Sequence, residues 1–170
     1  MKFAFYIIIF ILFLNPTILP AQNQETSGLI EKGISFYKIR NIDSAIYYYN
    51  LALSIDSLCD KAYFRRALAK SKTKDKDGAI ADYRTAIRIN PKPVYYNNIG
   101  IIFTLEQYHE EALDEFNKAL ALDSTYIQAI FNKGISYHHM GMPEEACKYT
   151  VMARDMGLEA ANQFCQQFCP

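Results

Sequence analysis

No sign of charge prevails in this sequence: eighteen Lys plus Arg offset eighteen Asp plus Glu over 170 residues. Without a net field nothing draws the chain onto nucleic acid or an anionic membrane, and no nucleic-acid partner is expected. Cysteine and histidine are scarce, at four and three, and no C-x-x-C or H-E-x-x-H spacing makes them metal ligands. A glycine-rich phosphate loop and a serine nucleophile elbow are also missing. No catalytic residue, metal, cofactor or small-molecule substrate is therefore expected. The paired acids Glu110 with Glu111 and Glu144 with Glu145 open helices, where they complement the positive helix end. His138, His139, Met140, Met142 and Cys147 are soft donors, but His138 and His139 are adjacent at a helix end and point apart, so a solvated turn is the simpler reading. His109 stands alone at another turn.

No apolar run reaches the roughly twenty residues of a membrane span. The longest, Phe3 to Leu14, follows Lys2 and is broken by Pro16 and Pro20 before Ala21. This is the pattern of a secretory signal peptide over residues 1–21, cut after Ala21 to leave Gln22, with an uncleaved N-terminal anchor as the alternative. Export to a periplasmic or extracellular location is the expectation, with residues 22–25 a short polar lead-in.

From residue 26 onward the sequence repeats. Ala45, Ala79, Ala112 and Ala146 recur at spacings of 34, 33 and 34, and Gly33, Ala67, Gly100 and Gly134 keep the same register, as do Ala52, Ala86, Ala119 and Ala153. A fixed period near 34 signals stacked helix-turn-helix units. Turn residues punctuate them: Arg40 with Asn41, Asp75 to Gly78, and Gly141 with Pro143 within units; Asp56 with Ser57, Asn90 with Pro91, and Asp123 with Ser124 between them. The units run about 26–59, 60–92, 93–126 and 127–157. Leu158, Ala161, Phe164, Cys165 and Phe168 then recur at helical spacing, which predicts a capping helix over 158–170 with Gln163, Gln166 and Gln167 on its polar face.

Gly33, Phe36, Ala45, Tyr49 and Ala52, and again Gly100, Phe103, Ala112, Phe116 and Ala119, resemble the tetratricopeptide repeat pattern. The second unit resembles it through Tyr63, Ala67, Ala79, Tyr83, Ala86 and Pro91. The fourth resembles it through Gly134, Tyr137, Ala146 and Ala153, with Thr150 where an aromatic is usual and Leu158 in place of proline. The resemblance implies an all-α fold, a right-handed superhelical solenoid of four hairpins plus the capping helix. Close crossing of two helices needs a small residue on one and a large one on the other, so Tyr49, Tyr83 and Phe116 are read as core.

The resemblance also implies a concave groove lined by the first helix of each hairpin, holding a peptide or helix of a protein partner. Its proposed contacts are Lys61, Phe64, Arg65 and Leu68, then Asn97, Asn98 and Ile101, then Phe131, Asn132 and Ile135. Ile30, Ile34, Tyr37, Ser71 and His138 are expected to face the same groove. Lys61 and Arg65 resemble two basic contacts of the carboxylate-clamping members, but Ile30 and Ile34 stand where those members carry Lys and Asn, which argues against a clamp. The stripe Lys61, Arg65, Arg66, Lys70, Lys72, Lys74 and Lys76 suits an acidic partner or a solvated helix end.

An antiparallel last hairpin brings Cys147 toward Cys165 and Cys169. The latter two are four apart on one helix and too distant to pair, since their β-carbons would lie about 5–6 Å apart. Resemblance of the stretch from Ala146 to Cys169 to the ends of exported bacterial repeat proteins implies a Cys147–Cys169 disulfide, with buried thiols as the alternative. The functional expectation is a non-catalytic scaffold or adaptor of the cell envelope. A permanent subunit of an envelope assembly, or an accessory with a metal or redox site, is the other reading, and membrane contact is expected only through an uncleaved anchor.

Overall fold

Small residues on one helix meet large ones on the next, as the repeat register requires. The computed structural model describes residues 18–169 and, among them, nine α-helices and no strand. These are α1 (Ile18–Lys38), α2 (Ile42–Ile55), α3 (Asp60–Lys70), α4 (Lys76–Ile89), α5 (Pro93–Leu105), α6 (His109–Leu122), α7 (Ile127–His139), α8 (Pro143–Asp155) and α9 (Glu159–Phe168). Two compact units result, one ending at Asp75 and one starting at Lys76, so the two helices of the 60–92 repeat fall one to each.

In the first unit α1 lies along α2, and α3 packs on both. A Cβ added at Gly33 would stand 2.4 Å from the ring of Tyr49, which explains why glycine occupies this crossing. Tyr49 is 1% exposed, and burial pushes its phenol up to about 12. Phe36 stacks on Tyr48 at 5.3 Å beside this core. Asn41 caps α2 by accepting a hydrogen bond from the Ser44 amide at 3.2 Å. The expected lead-in at 22–25 is helical: α1 begins at Ile18, and Gln22 Nε2 donates to the Ile55 carbonyl at 2.6 Å, so a tertiary contact holds this segment onto α2. Of the signal-peptide reading over residues 1–21, residues 1–17 lie outside the described residues.

In the second unit α5 pairs with α6 and α7 with α8, α5 also touches α7, and α9 covers α8. The crossing recurs at Gly100, whose added Cβ would stand 2.5 Å from the fully buried Phe116 ring. It recurs again at Gly134, against Thr150 Cγ2 at 2.6 Å. Threonine is tolerated there because its hydroxyl is satisfied by the Ala146 carbonyl at 2.9 Å. Tyr137 stacks on Tyr149 at 5.5 Å, the counterpart of Phe36 on Tyr48. Glu115, 2% exposed, accepts two hydrogen bonds from Arg84 at 3.0 and 2.7 Å and one from Lys118 at 2.8 Å. This arrangement clips α4 to α6 and satisfies a buried carboxylate. Cys147 and Cys169 stand with Cα atoms 5.6 Å apart and sulfurs at bonding distance, whereas Cys59 and Cys165 carry free thiols.

Candidate functional site

Two stretches of the proposed binding face belong to different units. In the first, Lys61 pairs with Glu31 at 3.3 Å, an exposed contact of small energetic weight. The Arg65 guanidinium lies 5.6 Å from the centre of the Phe64 ring, and Leu68 is half-buried one turn further on. Ile30 is not on this face: it is 2% exposed and belongs to the core with Tyr49 and Ala52, because α1 turns that residue toward α2.

The second unit builds a pocket. Ile101, Thr104 and Leu105 of α5 face Asn132, Ile135 and His139 of α7 across a cavity of about 150 Å³ floored by Phe116. Asn132 Nδ2 donates to Asn97 Oδ1 at 2.9 Å, and Thr104 and Ser136 share a hydrogen bond at 2.9 Å, so two polar contacts fix the two walls. Asn97 is 4% exposed and acts as a support for Asn132. Asn98 turns back to donate to the Val94 carbonyl at 2.7 Å. Phe131 meets Phe164 of α9 edge-to-face at 6.3 Å, and His138 sits against Phe164 and Phe168 at 5.2 and 4.6 Å. The cap thus shares the last aromatic of the proposed groove. Of the residues expected to line this part of the face, Ile101, Asn132 and Ile135 do so together.

Thr104, Leu105 and His139 were not expected in it. His109, read from the sequence as solitary, stacks on His139 at 5.5 Å with the rings nearly parallel. Burial, then the neighbouring His109 and His138, hold the His139 imidazole below the ordinary range, so its neutral form is favoured. His109 Nδ1 is buried without a hydrogen-bond partner. Among the described residues no group of three or more His, Cys, Asp or Glu is placed to hold a metal ion. The missed residues had a signal in the repeat register, since Lys38, Lys72, Leu105 and His139 follow one another at 34, 33 and 34.

A pocket of this volume is far below the roughly 300–1,000 Å³ of small-molecule sites and suits one apolar side chain with amide partners beside it. Paired helices with such a face define the class: an all-α helical-hairpin solenoid. Residues 60–93 and 94–126 match the tetratricopeptide repeat family, so this stretch carries two tetratricopeptide repeats. It is 30% identical over 104 residues to the photosystem I assembly protein Ycf3 of Acaryochloris marina, covering 58% of this chain and 62% of that one. It spans smaller shares of longer relatives, such as 13% of the peroxisomal targeting signal receptor of Kluyveromyces lactis. In fold it resembles MamA, with a TM-score of 0.71 at 23% identity over 85% of each chain. It also resembles YrrB, described as having an unusual peptide-binding site, with a TM-score of 0.62 at 18% identity over 76% of this chain and 67% of that one.

Proposed function

We propose that this chain is a non-catalytic, exported scaffold that holds a partner protein by seating one apolar side chain of a peptide segment in the α5/α7 pocket. The pocket carries the reading: Ile101, Leu105 and Ile135 supply apolar walls while Asn132 stands beside them with its position fixed by Asn97. An amide next to an apolar slot can bond a peptide backbone while the slot takes its side chain. YrrB, alike in fold, supports a peptide as the class of ligand. Selection of peptides on the full chain, followed by titration, tests it. Ile135→Asp should weaken a selected peptide about thirtyfold, as for a hot spot worth about 2 kcal/mol. Tyr47→Ser, on the exposed side of α2, should leave binding unchanged. The reverse pattern would reject the pocket.

Export rests on Lys2, the short apolar run and Ala21, and is compatible with the closeness of Cys147 to Cys169. Amino-terminal sequencing of protein recovered from its native compartment should begin at or near Gln22. Intact Met1 in a membrane fraction would favour an anchor instead.

A further inference from the structure

The first unit carries a larger cavity that the α5/α7 pocket does not involve. It measures about 510 Å³ and is lined by Tyr37 and Lys38 at the end of α1, Arg40 in the following turn, Ile42 at the start of α2, and Lys72 beyond α3. Three of its five lining residues are cations and none is an acid. Lys38 and Lys72 are 34 residues apart, so the repeat register places the same charge twice at one position of neighbouring hairpins. Arg40 joins them because the chain reverses there with φ at 63°. Among the described residues, none of the three side chains has an ion pair or hydrogen bond within the protein. Like charges gathered at one concavity raise the local potential and attract an anion.

We propose that this cavity is a second ligand site, which takes an acidic segment of a partner protein through its Asp or Glu carboxylates. Arg40 is suited to grip a carboxylate in bidentate fashion, and the two lysines supply point charges on either side. Tyr37 and Ile42 add an apolar wall that a peptide can use and a bare anion cannot. A compact phosphate group fits less well, since its usual cradle is a set of open backbone amides, and at the start of α2 the Ser44 amide is already capped by Asn41. Of the lysine stripe the site takes Lys72, near the turn, a residue that the peptide-pocket reading leaves without a role.

Fluorescence anisotropy on the full chain tests it, using a labelled hexaglutamate peptide ending in leucine and the equivalent glutamine peptide. The acidic peptide should bind, more weakly as salt is raised, and the glutamine peptide should not. Arg40→Asn, which suits the left-handed backbone, and Lys72→Gln should each weaken binding about three- to fivefold, and about tenfold or more together. Arg88→Gln on α4 and Ile135→Asp should leave it unchanged, so this site and the α5/α7 pocket fail separately. Helicity by circular dichroism checks each variant, and Lys38→Gln replaces any that unfolds. Undiminished binding by the double variant would overturn the site. Displacement by inorganic tripolyphosphate at far lower concentration than by unlabelled peptide would overturn the peptide assignment.

Discussion

Phe116→Ala is expected to lower the unfolding free energy by about 3–5 kcal/mol, read as a shift in the denaturant midpoint at unchanged slope. The ring is fully buried and lies against Gly100 at the α5/α6 crossing, so its loss leaves a void that two helices already in contact cannot close. Tyr49→Ala should cost a similar amount in the first unit, where Gly33 makes the same crossing. The converse substitution, Gly100→Ala, acts on the same contact from the other side, because its methyl group must displace the ring. Phe131→Ala is less clean as a binding test, since Phe131 also contacts Phe164 of the cap. A melt unaffected by Phe116→Ala would mean that this crossing is not a core.

Cys147→Ser, or reduction of the native protein, should remove about 3 kcal/mol if the two sulfurs are joined in the native compartment, the chain-entropy value for a closed loop of 22 residues. The loss should concentrate in α9, which buries little besides Ala161 and Cys165. Hydrogen exchange should accelerate in α9 while α5 and α6 keep their protection. Non-reducing peptide mapping of protein from its native compartment checks the bond itself. Two free thiols there, or identical melts with and without reductant, would defeat the expectation.

Helices and crossings were legible because their determinants are periodic: small residues every 33 or 34 positions, with Tyr49 and Phe116 sixteen residues beyond Gly33 and Gly100. The capping helix was legible from its apolar spacing, and three members of the α5/α7 pocket from the family face. What escaped was set by helix rotation and by pairs distant in sequence. A small rotation decides whether Ile30 faces outward or into the core, and periodicity does not resolve it. His109 finds His139 only because one turn of the third hairpin lies beside the end of α7. The basic cavity draws on Lys38, Arg40 and Lys72, whereas a linear stripe of lysines draws attention to charge contiguous in sequence.

The small-to-large crossings also bear on how fast this protein reaches its native state. Gly33 with Tyr49, Gly100 with Phe116 and Gly134 with Thr150 each join positions sixteen residues apart, so a central contact of each hairpin closes only a short loop. Loop closure of this length takes on the order of 0.1 μs or less, and chains dominated by such contacts fold in microseconds to milliseconds. Each such contact can therefore form early, from residues close together in the chain, with stacking of neighbouring hairpins needed to hold it. The carboxy-terminal link from Cys147 to Cys169, when oxidised, would be the last step to complete, on the far slower timescale of thiol chemistry.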